Sequence, residues 1–199
     1  MSRFFETIRI DDGVPLNLAW HEQRMEKTMA EFRTMNKRIR LMDLLTIPPD
    51  FSTGIVRCNV IYSREIEDVV FKPYFKKIIR SLKLVHNDML DYHVKYTDRT
   101  TLEILLAGKG DCDEVLIVKH GLITDTSMSN IIFFDGINWY TPARPLLNGT
   151  CRERLLCEGT LKAIDIRVTD LHQFTGCKLI NAMRFPEEEK TIMISNIVA

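Results

Sequence analysis

Apolar and polar positions alternate from Phe4 to Ile10. Asp11-Asp12-Gly13 is a turn signal leading into Val14-Pro15-Leu16-Asn17-Leu18, so the chain is expected to open as a β-hairpin. Leu18, Met25, Met29 and Phe32 then recur at helical spacing behind Asn17, a candidate N-cap, with charged residues on the other face to about Arg40. After the loop Thr46-Ile47-Pro48-Pro49-Asp50, strands are expected over Gly54 to Tyr62 and Glu67 to Phe71, joined by the polar turn Ser63-Arg64-Glu65-Ile66. Pro73 and the basic pair Lys76-Lys77 break this pattern and place a joint near residues 72–79, dividing the chain into residues 1–75 and 76–199.

Beyond the joint, Ile78 to Val85 reads as a strand. Residues 92–97 alternate again, with Tyr92, Val94 and Tyr96 on one face and His93, Lys95 and Thr97 on the other. Asp98 is expected to cap a helix from about Arg99, with Leu102, Leu105 and Leu106 turned inward. Glu114 to Lys119, the turn His120-Gly121 and Leu122 to Thr124 predict a hairpin that ends in a polar loop, Asp125-Thr126-Ser127-Met128-Ser129-Asn130. A further hairpin pairs Ile131 to Phe134 with Ile137 to Thr141, and a helix begins near Thr150 behind Asn148-Gly149. A strand near Ile164 to Thr169, a short helix capped by Asp170, a strand over Lys178 to Asn181 and a last strand from Thr191 to Ile197 complete the expected elements.

Composition narrows the function. The 199 residues carry 27 basic and 27 acidic side chains, so there is no electrostatic footprint for nucleic acid or an anionic membrane. No apolar run approaches the length that spans a bilayer, and the first residues lack a signal core, which points to the cytoplasm. Cys58, Cys112, Cys151, Cys157 and Cys177 form no C-x-x-C pair and the histidines are scattered, so neither a disulfide framework nor a metal is expected. Gly108-Lys109-Gly110 lacks the spacer and the Ser or Thr of a Walker loop and reads as a helix stop.

Several residues carry candidate chemistry. Lys95 shares its face with polar groups, and a lysine whose environment removes its proton can form a Schiff base with a carbonyl; the bland alternative is a solvated surface lysine. His21 and Arg24 stand three apart on one helix face and can reach a single partner, so Arg24 is either an anion clamp or a surface arginine paired with Glu22 or Glu26. Arg57, inside a strand, either crosses to solvent or enters a ligand site. Asp125 is either a loop residue or a carboxylate for a charged ring nitrogen. The helix start near Thr150 is suited to a phosphate, and Asn181-Ala182-Met183 lies at a strand end, where such folds place ligands.

Taken together and in order, these stretches resemble the class IV, or fold-type IV, aminotransferases that use pyridoxal phosphate. Phe5-Glu6-Thr7-Ile8-Arg9 is similar to the family's opening strand, and His21-Glu22-Gln23-Arg24-Met25 to its H-x-x-R-[LM] helix. Lys95-Tyr96-Thr97-Asp98-Arg99 is similar to K-x-x-[ND]-R, and Ile123 to Phe133 to V-T-E-x-S-x-S-N-[IL]-F. Thr141-Pro142 and Leu147 to Arg152 are similar to T-P and L-x-G-[IV]-T-R. The resemblance implies an α/β, two-domain fold like that of D-amino-acid aminotransferase, with a small N-terminal α/β domain and a C-terminal barrel-like domain.

It also implies that Lys95 holds pyridoxal 5'-phosphate covalently and that Arg24 binds its phosphate with backbone N–H groups of Thr150, Cys151 and Ala182. Asn181 would belong to the same cofactor site, and Asp125 would stand in the place of the glutamate on the pyridine nitrogen. Thr7, Arg9 and Arg57 are the implied substrate contacts, for a small anionic amine or amino acid, and a homodimer is normal for the family. Three departures stand out: Asp125 is one methylene shorter than glutamate, Cys151 replaces a threonine, and the strand and turn that precede F-E-T in the family have no counterpart here. Leu179-Ile180-Asn181-Ala182-Met183-Arg184 is closer to the segment of the 4-amino-4-deoxychorismate lyases than to that of the transaminases. The expected reaction is therefore release of pyruvate to give 4-aminobenzoate. A branched-chain or D-amino-acid aminotransferase is the alternative, and an inactive cofactor-binding protein the third reading.

Overall fold

The computed structural model describes residues 2–33 and 39–199 and divides into two compact units. Where a single joint after residue 75 is expected, the first unit takes Met1–Lys76 together with Val94–Asp98, and the second takes Lys77–His93 and Arg99–Ala199.

The first unit is built on β1 (Phe4–Asp11), β2 (Val14–Pro15), α1 (Leu18–Phe32), a single-turn α2 (Leu41–Leu44), β3 (Ile55–Tyr62) and β4 (Ile66–Pro73). Its sheet runs β2-β1-β3-β4, all antiparallel. The β1–β2 turn needs left-handed backbone at Asp12 and Gly13, φ 45° and 77°, which is why the turn carries Asp-Gly. The alternation read from the sequence sorts β1 into two faces. Phe4, Ile8 and Ile10 pack with Val56, Cys58, Val60 and Tyr62 of β3 against Met25 and Met29 of α1. Helix α1 ends at Phe32, earlier than expected, because Arg33 turns left-handed (φ 48°) and its N–H closes on the carbonyls of Met29 and Ala30. The expected continuation through 34–38 lies outside the described residues. Asn17 precedes the helix in left-handed backbone (φ 59°) and makes no side-chain cap bond.

The second unit contains β5 (Leu82–His86), α3 (Thr100–Ala107), β6 (Glu114–Lys119), β7 (Leu122–Thr126), β8 (Asn130–Phe134), β9 (Trp139–Pro142), α4 (Thr150–Cys157), β10 (Lys162–Ile164), β11 (Gly176–Ile180), β12 (Ile192–Met193) and β13 (Ile197–Val198). The sheet order is β10-β9-β8-β7-β6-β5-β13, and β11 joins β8 to β12. Strands β6 and β8 are buried along nearly their whole length, as their unbroken apolar runs Val115–Val118 and Ile131–Phe133 require. Along β8 one edge pairs with all of β11, while the other is shared: Asn130 pairs with Asp125 of β7, and Phe133 and Phe134 pair with β9. The sheet therefore forks at β8. Thr141 bridges the fork, its hydroxyl donating to the Ile131 carbonyl at 2.9 Å.

Further expectations change: the strand expected near Ile164 to Thr169 ends at Ile164, and the short helix after it is a 3-10 turn over Val168–Gln173 preceded by Arg167, with Asp170 inside it. Residues 92–97 form no regular strand; an isolated bridge, Phe4 to Tyr96, and the bonds Phe5 N–H to Lys95 O (3.0 Å) and Thr97 N–H to Arg3 O (2.9 Å) lay this segment along β1. Arg99, not Asp98, is the residue that precedes α3. Asp125 belongs to β7 rather than to a loop. The last strand is broken, with a 3-10 turn over Ile194–Asn196 between β12 and β13. All five cysteines are free, and among the described residues no helix is long and apolar enough to cross a membrane.

Phe133 is fully buried in the core of the second unit, 5.2 Å from the Phe174 ring. Phe133→Ala is expected to lose about 3–5 kcal/mol in urea unfolding, whereas Phe75→Ala, at 89 % exposure, should stay within about 0.5 kcal/mol.

Candidate active site

The buried face of β1 carries one residue that does not fit an apolar core. Glu6, between Phe4 and Ile8, is completely buried. His21 Nδ1 lies 2.6 Å from one of its oxygens, Arg24 Nε donates to the other at 2.9 Å, and Arg24 Nη2 donates to the oxygen shared with His21. The partner that His21 and Arg24 both reach from one helix face is Glu6. Burial alone would push the Glu6 carboxyl up; the Arg24 charge and the His21 hydrogen bond overcome this and hold it at about 2. Burial, with the charges of Arg24 and Lys95 behind it, lowers the His21 pKa, so His21 serves as a neutral donor to an ionised carboxylate.

The other face of the sheet holds the remaining expected residues of this unit. The ammonium of Lys95 sits 4.4 Å from the centre of the Phe5 ring. By register the next row along that face is Thr7 opposite Asn59, and the row after it is Arg9 opposite Arg57, with Lys72 of β4 alongside. Arg9 is only 4 % exposed and donates to Asp11 at 2.8 Å. Two arginines directly opposite each other repel across an antiparallel pair, so this row is suited to an anion lying over it.

In the second unit Asp125 is 4 % exposed and held on both sides. Asn130 Nδ2 donates to its Oδ1 at 2.7 Å and the Leu147 N–H to its Oδ2 at 3.0 Å. These donors are neutral, and burial outweighs them and the Arg152 charge, raising Asp125 to about 6. Thr150 and Cys151 open α4 behind Gly149, whose backbone is extended (φ −69°, ψ 141°). Cys151 packs with Ile180, and burial pushes its thiol up to about 11, so it is a core thiol rather than a nucleophile. Asn181 donates to Ser129 Oγ (2.9 Å) and to the Met128 carbonyl (3.2 Å), and Ala182 sits in the tight turn closed by the paired backbone bonds of Asn181 and Arg184. Asp125 and Asn181 thus flank the loop over residues 127–129, and the segment leading into Thr150 and Cys151 meets Asp125 through Leu147.

The residues present fit pyridoxal phosphate. Gly149 leaves the start of α4 without a side chain, and the buried Ser127 Oγ has no hydrogen-bond partner beside Asp125. Among the described residues no group of three or more His, Cys, Asp or Glu could hold a metal ion. Sequence reasoning assigned no role to Glu6 or Asn130. An acidic residue on the apolar face of an alternating strand was the available signal for Glu6; nothing local distinguishes Asn130.

The two carboxylates give opposite pH signatures. Glu6 titrates below its ordinary value of 4.5, so it stabilises the fold above that pH and its contribution is lost as pH falls toward about 2. Wild type should lose on the order of 3 kcal/mol over that window in denaturant titrations, and Glu6→Gln should not show that slope. Asp125 titrates above its ordinary 3.8, so stability falls as pH rises toward about 6. Asp125→Asn should flatten that second slope.

Comparison with known proteins identifies the family. Residues 76–185 match the family model described as Amino-transferase class IV. A protein of Haemophilus influenzae is 37 % identical over 185 residues, 92 % of this chain and 98 % of the relative. A crystal structure from Haemophilus somnus 129pt, provisionally assigned as a 4-amino-4-deoxychorismate lyase, is 36 % identical, covers 93 % of this chain and 98 % of its own, and superposes with a TM-score of 0.83. A hypothetical aminotransferase of Mycobacterium tuberculosis, solved with pyridoxal phosphate bound, shares the fold at 17 % identity, with 98 % and 81 % of the chains covered and a TM-score of 0.76. On the family match and the extent of these alignments, the chain belongs to the class IV aminotransferases, a family of pyridoxal-phosphate-dependent lyases and aminotransferases.

Proposed function

We propose that this protein is a lyase that cleaves an anionic, ring-borne amine of the 4-amino-4-deoxychorismate type, releasing pyruvate and leaving 4-aminobenzoate. The observation that carries the reading is the distance along one sheet face between Lys95 and the Arg9–Arg57 row. From Phe5, over which Lys95 lies, to Arg9 is four residues of β1, or about 14 Å at strand rise. Guanidinium groups on that row would meet a carboxylate set well away from the reacting amine. An α-amino acid carries its carboxylate on the amine-bearing carbon and spans too little of this gap. A ring with amine and carboxylate at opposite ends spans more of it. The 36 % identity to the Haemophilus somnus protein supports the same reading.

Within it, bound pyridoxal phosphate supplies the electron sink for the bonds made and broken at the substrate. Lys95 would hold the cofactor and, as general base, would take the ring proton of the substrate. Arg24, fixed by Glu6, would hold the cofactor's phosphate, a role the family resemblance also gives to the backbone N–H groups of Thr150, Cys151 and Ala182. Asp125 supplies the carboxylate for the ring nitrogen, and Thr7, Arg9 and Arg57 orient the substrate.

The test is 4-aminobenzoate release by the purified, cofactor-loaded protein, beside a panel of L- and D-amino acids followed for conversion of the cofactor to its amine form. Release of 4-aminobenzoate, lost in Lys95→Ala and with KM raised about tenfold or more in Arg57→Ala, is the expected result. Conversion by an amino acid without release would make the protein an aminotransferase; neither activity would make it a binding protein. Arg24→Ala should weaken cofactor affinity by about tenfold or more in an equilibrium titration and, because it leaves the buried Glu6 with His21 alone, should also lower the thermal midpoint.

A further inference from the structure

Asn130 is the first residue of β8, and its only ladder partner on the β7 side of the fork is Asp125. Its side chain is 5 % exposed. The Nδ2 amide spends both hydrogens, one on Asp125 Oδ1 at 2.7 Å and one on the Leu147 carbonyl at 2.9 Å. The Leu147 N–H returns to Asp125 Oδ2 at 3.0 Å, so Asp125, Asn130 and Leu147 form a closed three-membered circuit. Leu147 lies three residues before Thr150, where α4 begins. The third side of the amide is equally constrained: a Cβ built on Gly149 would lie 2.0 Å from Asn130 Oδ1. One buried amide thus touches the carboxylate and the last residue before α4.

We propose that Asn130 is a positioning residue that locks the Asp125 carboxylate to the start of α4, so that the ring-nitrogen and phosphate contacts of pyridoxal phosphate are set together as one rigid piece. The inference rests on the cofactor assignment made above. It also accounts for the short acid. Aspartate lacks a methylene that glutamate would use to reach the ring, so its direction matters more, and two donors at fixed positions define that direction. Gly149 follows from the same packing: its backbone (φ −69°, ψ 141°) suits any residue, and only the Asn130 amide excludes a side chain there.

That last point gives a test that leaves both polar residues in place. Gly149→Ala pushes the Asn130 amide away from its partners, and Asn130→Ala removes it. The charged group that acts on Asp125 is Arg152, which neither substitution replaces. In both variants the Asp125 carboxyl, followed by carbon-detected NMR of the cofactor-free protein, should titrate above its wild-type midpoint, because a donor to the ionised form is lost. The Kd for pyridoxal phosphate should rise about tenfold or more in both. Adding Asn130→Ala to Asp125→Asn should then cost much less than it costs alone, since the two act through one circuit. A thermal midpoint that falls while the Asp125 titration and the Kd stay at wild-type values would reduce Asn130 to a structural residue and overturn the proposal. Wild type that takes up no pyridoxal phosphate would instead overturn the proposed function, and with it the cofactor half of this inference, whatever the NMR titration reports.

Discussion

A carboxylate taken out of water costs several kcal/mol unless donors meet it, and each unit of this chain is arranged round one such group. In the first unit Glu6 ties α1 to β1, since its two partners, His21 and Arg24, are one helical turn apart and both point at it. In the second unit Asp125 ties β7 to β8 and to the segment that leads into α4. The apolar cores on either side would form with many sequences; the placement of these two acids requires particular partners at particular positions.

The donors differ in kind, and so does the chemistry they leave. Glu6 has a guanidinium and stays ionised far into acid, which makes it a fixed counter-charge that orients Arg24. Asp125 has the neutral Asn130 amide and the backbone N–H groups of Leu147 and Leu146 as donors, with Arg152 acting through its charge, and burial raises its affinity for a proton. A carboxyl poised in this way is suited to meeting a group that carries its own positive charge, and that match supports giving it the ring nitrogen in the proposed function. Lys95 is set apart from both acids in kind: it rests on an aromatic ring at the edge of β1, on a segment held by backbone bonds to Phe5 and Arg3 rather than by a full strand.

The fork at β8 connects this chemistry to the fold. Where one strand edge passes from β7 to β9, the ladder is interrupted, and polar side chains take over backbone bonding. Asn130 and Thr141 both do so, Asn130 to the Leu147 carbonyl and Thr141 to the Ile131 carbonyl. Buried polar side chains at such an interruption cost little extra, because the backbone there already needs partners.

The sequence by itself determined the alternating faces of β1 and β3, the buried runs of β6 and β8, the start of α4 at Thr150 and the family, because strand and helix periods and contiguous motifs are local properties. It also placed His21 and Arg24 on one face. Their partner was decided by tertiary structure, because Glu6 lies on another element and only strand–helix packing brings it within 3 Å of both side chains. The same holds where local signals misled. Lys95 alternates like a strand residue, but a strand needs a neighbour along its whole length, and residues 92–97 find one only near Phe4. The polar run from Asp125 reads as a loop, yet the ladder bond to Asn130 extends β7 through Thr126. The role of Asn130 was likewise invisible in the chain: an asparagine after a serine is unremarkable until β7, β8 and the turn before α4 close round its amide.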